Sequence, residues 1–75
     1  MILPSKHISA EQTLLGVGAI LLQALEQACT VSSLWEKTKT NQIVGTFERF
    51  ILALDMLYVL GAITITDSLL ERTTA

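Results

Sequence analysis

The residues able to do acid–base or nucleophilic chemistry are few in this chain, and they are widely spaced. The chain has one histidine, His7, and one cysteine, Cys29. A nucleophile needs an adjacent base and a metal site needs several ligands, so this pair supplies at most half of either arrangement. Glu48 and Asp55 are seven residues apart, too sparse for a paired-carboxylate site. These residues predict a protein that is not an enzyme and has no cofactor or metal.

Length and composition predict one small domain. The chain has 75 residues, of which 51% are hydrophobic, so it has material for one core but a thin stability margin. Cys29 cannot form a disulfide within the chain, and it is expected as a small buried side chain more than as a reactive thiol. This cysteine usage is typical of the cytoplasm. The longest nearly uncharged run, Leu14–Leu25, is too short for a membrane span, which needs about 20 residues.

Net charge argues against nucleic acid as the main partner. Five basic residues face seven acidic ones, for a net charge of −2. Dedicated nucleic-acid binders are usually basic because they neutralise phosphates. We therefore expect any DNA contact to be indirect or weak.

The hydrophobic periodicity predicts a mainly α domain with a small β-hairpin. Pro4 disfavours a helical conformation at Leu3, which predicts an extended N-terminal arm over residues 1–8. The elements predicted after the arm are a helix from a Ser9–Gln12 capping box to about Gln27, a link at Cys29–Val31, a helix from Ser33 to Lys39, a helix from Thr46 to Gly61, a strand at Ala62–Thr66, a turn at Asp67-Ser68 and a return strand at Leu69–Arg72. This α+β order is that of a winged helix-turn-helix, so residues 9–75 are predicted to form a single winged-helix-like domain.

An apolar stripe is predicted on the outer face of the third helix. The side chains predicted to face the core are Phe47, Phe50, Ile51, Leu54, Leu57 and Tyr58. Leu52, Met56 and Val59 follow i, i+4, i+7 spacing on the opposite face, and Ile20 is a large apolar residue on the polar side of the first helix. We interpret these four residues as protein-binding. The alternatives are that the arm or the hairpin covers the stripe within the monomer, or that the helix has a different phase.

The N-terminal arm is a second candidate surface. Leu3, Pro4, Lys6 and His7 are predicted to bind a partner protein, because the arm carries apolar anchors. The alternative is that the arm folds over the chain's own core.

Several segments together resemble one protein family. They are the arm Met-Ile-Leu-Pro-Ser-Lys-His-Ile at 1–8, Leu-Leu-Gly-Val-Gly at 14–18, Thr-Val-Ser-Ser-Leu-Trp at 30–35, Phe-Glu-Arg-Phe-Ile-Leu-Ala-Leu-Asp-Met-Leu-Tyr at 47–58, and Gly-Ala-Ile at 61–63. The chain resembles, over nearly its whole length, the type-six middle components of bacterial ABC-three-component systems. Asp67-Ser68 departs from the Asp-Gly type of turn often found in such a wing.

The resemblance implies a role that residue spacing does not supply. Such systems pair a middle component with an ABC ATPase of the SMC or Rad50 kind and with an effector, in defence against phage or foreign DNA. This chain would then be a non-catalytic adaptor that contacts the ATPase, the effector or both, and that is not attached to a membrane. A second copy of this chain is another candidate partner, in a homodimer. The alternatives are a small DNA-binding transcriptional regulator and an antitoxin-like module.

Overall fold

Three helices precede a two-stranded antiparallel hairpin in the computed structural model, which describes residues 10–73, with side chains from residue 13 onward. The elements are α1 (Ala10–Ala24), α2 (Val31–Thr38), α3 (Phe47–Val59), β1 (Ile63–Thr66) and β2 (Leu69–Arg72). The predicted α+β class with three helices and one hairpin is therefore confirmed. The predicted arm at residues 1–8 and the Ser9–Gln12 capping box lie outside the described side chains.

Helix α1 ends three residues earlier than predicted, at Ala24 rather than Gln27. The Leu25 N–H still donates to the carbonyls of Leu21 and Leu22, at 3.0 and 3.3 Å. Beyond that point Cys29 forms an antiparallel bridge with Leu70 of β2. The bridge requires extended backbone, so the helix cannot continue to it.

Helix α2 begins three residues earlier than predicted, because Thr30 rather than Ser33 is its N-cap. Thr30 has extended backbone angles, and its hydroxyl oxygen accepts a hydrogen bond from the Ser33 N–H at 3.1 Å. The predicted capping box of Ser33 and Glu36 was therefore wrong, since Ser33 lies in the first turn. At the other end, the buried Thr38 hydroxyl donates to the Leu34 carbonyl at 2.9 Å.

Helix α3 begins and ends as the sequence predicts. The Thr46 hydroxyl oxygen accepts a hydrogen bond from the Arg49 N–H at 3.1 Å. At the C-terminal end, Gly61 has φ +79, its N–H donates to the Tyr58 carbonyl, and the Ala62 N–H donates to the Leu57 carbonyl. These two bonds form a Schellman motif, which reverses the chain direction into β1.

The hairpin register divides its side chains between two faces. Ile65 pairs with Leu70 and Ile63 pairs with Arg72, so these four side chains share one face of the sheet. Asp67 and Ser68 both have positive φ, as a two-residue type I′ turn requires. The other edge of β2 is held by Cys29, whose N–H and carbonyl both bond to Leu70, at 3.1 and 2.7 Å. The hairpin is thereby fixed to the link between α1 and α2.

The hydrophobic core lies where all five elements meet. Its buried members are Val17, Leu21, Leu25, Leu34, Val44, Phe50, Ala53, Leu54, Leu57, Ile63 and Leu70. Trp35 extends the core at one end, with its ring centroid 5.2 Å from those of both Phe47 and Phe50. Among the described residues, no helix has the length and apolar character needed to cross a membrane.

Candidate protein-binding surface

The outward face of α3 combines apolar and acidic side chains. Leu52 is 50% exposed and Val59 is 82% exposed, so two of the three predicted stripe residues lie at the surface. Glu48 and Asp55 are exposed on the same face of the helix. Neither the hairpin nor any other described element buries Leu52 or Val59. The two carboxylates give this face a negative charge, which disfavours contact with phosphates.

Met56, the central residue of the predicted stripe, is partly buried and packs against the core. Its Cε lies against Gly18 of α1, where a Cβ would come within 3.0 Å of it. Met56 was predicted on the outward face, and it is covered in part by α1. The physical reason is that Gly18, having no side chain, lets α3 approach α1 closely enough for Met56 to enter their contact. A charged side chain in place of Met56 would therefore disturb the packing of α1 against α3 in addition to any binding surface on α3.

The one cation of α3, Arg49, contacts the loop that precedes the helix. Its guanidinium Nη1 donates to the Ile43 carbonyl at 3.4 Å, and it lies over Gly45. Asn41 shapes the same loop, since its Oδ1 accepts from the Ile43 N–H at 2.8 Å. Among residues 13–73, no salt bridge pairs Glu48 or Asp55 with Arg49 or with another cation.

The exposure of α1 also differs from the prediction. Ile20 is only partly buried and packs against the core, although it was expected on the polar side. Leu15 of the same helix is 55% exposed. The buried residues of α1 are Val17, Leu21 and Leu25, so the inward face of the helix is centred on Leu21. Ile20 therefore offers a partner less surface than predicted.

Two residues assigned to the core face of α3 lie at its margins. Phe47 and Tyr58 are each about half exposed, whereas Ala53 is completely buried. The core contact of α3 follows the spacing of Phe50, Ala53, Leu54 and Leu57. This stripe is narrower than the sequence suggests, because α1 and the hairpin cover only part of the helix. Tyr58 is consequently available on the surface next to the hairpin.

A cleft of about 450 Å³ lies between α3 and the hairpin. We call it the hairpin cleft; it is lined by Val31, Ile51, Leu54, Asp55, Tyr58, Ile63, Ile65 and Leu70. Leu54, Ile63 and Leu70 are buried and form its floor, while Tyr58, Ile65 and Asp55 are exposed at its rim. Sequence reasoning missed this cleft, because it depends on where the hairpin lies relative to α3. The signal available was the pair of isoleucines at alternate positions in β1.

The predicted arm residues Leu3, Pro4, Lys6 and His7 lie outside the described residues. Cys29 is partly buried within the backbone bridge to Leu70. Within residues 13–73 no three histidine, cysteine or acidic side chains come close enough to hold a metal ion.

These features describe a small helical domain with a hairpin and an outward helix face that is both apolar and acidic. The family model for the ABC-three component (ABC-3C) system Middle Component 6 matches residues 3–73. The chain belongs to this family of middle components of ABC-three-component systems. Comparison with curated proteins and with solved structures gives no match. The family resemblance noted from the sequence is thus confirmed, and it makes the chain one part of a system with several components.

Proposed function

We propose that this chain is a non-catalytic winged-helix adaptor, which joins an ABC ATPase of the SMC or Rad50 kind to an effector in a cytoplasmic system that defends against phage or foreign DNA. Family membership supports a role among several components. The element order supports the winged-helix assignment: α3 follows α2 after an eight-residue loop, in the position of a recognition helix, and the β1–β2 hairpin follows in the position of a wing.

The observation that carries the adaptor role is the outward face of α3. Leu52 is exposed between Glu48 and Asp55 along the helix, and Val59 is exposed one turn beyond Asp55. Large apolar side chains grouped on an exposed face are typical of protein interfaces, and a helix face with this spacing fits a groove of a partner. In the adaptor, this face binds another component of the system.

The same face argues against DNA as the direct partner. A recognition helix reads bases with arginine, lysine, asparagine or glutamine, and its neighbours neutralise phosphates. Here Glu48 and Asp55 would repel phosphates, and Arg49 is engaged with the Ile43 carbonyl. Any DNA contact of the system therefore belongs mainly to a partner.

The absence of catalysis is also part of the proposal. The Cys29 thiol lies in a strand bridge, with no histidine or acidic group paired with it in the described part of the chain. Glu48 and Asp55 are both exposed on one helix, where nothing encloses a substrate between them. The ATP chemistry is assigned to the partner ATPase, and no cofactor is assigned to this chain.

Co-expression with the other components of the system tests this function. The tagged chain is purified with its genomic neighbours, and the mass of each species in the complex is measured. We expect a stable complex that contains a large ABC ATPase. A chain that purifies alone and binds duplex DNA in a salt-dependent manner would overturn the proposal in favour of a regulator.

A matched pair of variants tests the role of the α3 face. Leu52→Gln with Val59→Gln removes apolar surface without adding charge beside Glu48 and Asp55, and glutamine is a good helix former. Ile43→Gln is the control, because the exposure of Ile43 is similar to that of Leu52 but Ile43 lies on the loop before α3. We expect the α3 variant to lose the complex and the control to retain it. Equal retention by both would remove this face from the interface.

A further inference from the structure

We infer that the hairpin cleft receives an apolar side chain of a partner protein that lies next to a lysine or arginine, and that this cation pairs with Asp55. The inference rests on the proposed adaptor function and names the chemistry of the segment that the adaptor recognises.

The lining of the hairpin cleft selects an apolar group. Asp55 is the only charged residue among the lining side chains. The buried floor of Leu54, Ile63 and Leu70 offers no polar side chain to a ligand. Tyr58 of α3 and Ile65 of the hairpin both line the cleft, and both are about half exposed. A leucine, isoleucine or phenylalanine side chain inserted between them would exclude water from this surface, as an interface anchor does.

The position of the hairpin makes the cleft a defined site. Ile63, Ile65, Leu70 and Arg72 share one sheet face, on which Ile63 and Leu70 are buried. Arg72 does not line the hairpin cleft. Near Gly61 the Schellman motif directs β1 back along α3, so Ile63 reaches the core while Ile65 remains about half exposed farther along. The Cys29 bridge holds β2 on the opposite edge. Because both strands are fixed, the opening exists before any ligand binds, which limits the ordering cost of binding.

Charge decides which partner segment fits. The salt bridge found among residues 13–73 joins Lys39 and Glu36, at 2.8 Å, and leaves Asp55 without a cation. Glu48 adds a second negative charge to the same helix face. A lysine or arginine beside the inserted apolar side chain complements this charge, whereas an acidic segment or a phosphate backbone is repelled. The occupant is therefore a basic and apolar protein segment.

The test uses the full chain and the complex obtained by co-expression. Asp55→Asn removes the charge at the rim, and Asp67→Asn is its control, because Asp67 lies in the exposed turn, where asparagine tolerates positive φ. Ile65→Ser removes the apolar rim, and Leu69→Ser makes the same kind of change on the opposite sheet face. The affinity of each folded variant for the purified partner components is measured at low and at high NaCl concentration.

We expect Asp55→Asn to weaken binding about three- to tenfold at low salt and to reduce its salt dependence. Ile65→Ser should weaken binding at both salt concentrations, and the two controls should bind as the parent chain does. A complex that forms but responds equally to site and control variants overturns the hairpin cleft inference and leaves the adaptor function standing. Failure to form a complex with any component overturns both.

Discussion

Gly18 of α1 lies directly against Met56 of α3, and a Cβ added to this glycine would come 3.0 Å from Met56 Cε and 3.2 Å from Leu57 Cδ2. Gly16, two residues earlier, meets only the Ile43 Cγ2 atom, at 3.9 Å. The two glycines therefore have different roles within one helix. Gly18 allows the close approach of α1 and α3, whereas Gly16 only lowers helix propensity.

Alanine substitution should separate the two roles. Gly16→Ala should raise the free energy of unfolding by about 1 kcal/mol, because alanine favours the helix and the new methyl makes an ordinary contact. Gly18→Ala gains the same propensity, but it crowds the buried Leu57, and overpacking costs about 1–3 kcal/mol. We expect a net loss of about 1 kcal/mol. Urea unfolding followed by circular dichroism measures both; a stabilised Gly18→Ala would show that α1 and α3 are not in close contact.

The end of α3 depends on the left-handed conformation of Gly61. A Cβ at this glycine would meet no atom within 4 Å, so a substitution is penalised by its backbone angle alone. Gly61→Ala should destabilise the domain by about 1–2 kcal/mol, and Gly61→Asn by less, since asparagine tolerates positive φ. Thermal unfolding of both variants gives the order of their stabilities. Equal stabilities for the alanine and asparagine variants would contradict the assigned conformation.

The hairpin turn carries two residues other than glycine with positive φ, Asp67 at 53° and Ser68 at 67°. Ser68→Gly should therefore raise the free energy of unfolding by about 1 kcal/mol, because glycine adopts this conformation without steric cost. Ser68→Val should lower it, because a β-branched side chain strongly disfavours the left-handed region. Chemical denaturation of the two variants measures the difference. An unchanged midpoint in both would mean that the turn does not have type I′ geometry.

The aromatic cluster distinguishes a buried ring from an exposed one. Phe50 is completely buried, while Phe47 is about half exposed, although both contact Trp35. Phe50→Ala should cost about 3–5 kcal/mol, a large part of the stability of so small a domain. Phe47→Ala should cost about 1 kcal/mol. Trp35 fluorescence reports both unfolding transitions, and similar losses for the two variants would place Phe47 in the core.

Local signals in the sequence predicted the element order well. Thr46 and Gly61 mark the two ends of α3 by chemistry that acts within a few residues, and the Asp67-Ser68 turn follows from the strands around it. The end of α1 was placed too late, since the bridge between Cys29 and Leu70 is a long-range contact that periodicity does not show. The start of α2 was misplaced for another reason: Thr30 and Ser33 are both good N-cap residues, and the structure uses Thr30.

The candidate surface was harder to predict than the fold. Leu52 and Val59 are exposed as expected, but Met56 is partly buried because Gly18 brings α1 close to it. The hairpin cleft combines Tyr58 of α3 with Ile65 of β1, two residues whose proximity depends on the angle at which the hairpin leaves the helix. A helical wheel describes one helix alone. It cannot show which residues of that helix a neighbouring element covers and which remain exposed.

The bridge between Cys29 and Leu70 also constrains the order in which the chain acquires its structure during synthesis. Local contacts can form α1, α2 and α3 as each helix emerges from the ribosome. The link at Cys29 has to wait for β2, which is made much later. Nascent chains that end before Leu70 therefore lack the backbone hydrogen bonds that join the hairpin to the link between α1 and α2. The surface beneath the hairpin is assembled only after translation has passed β2.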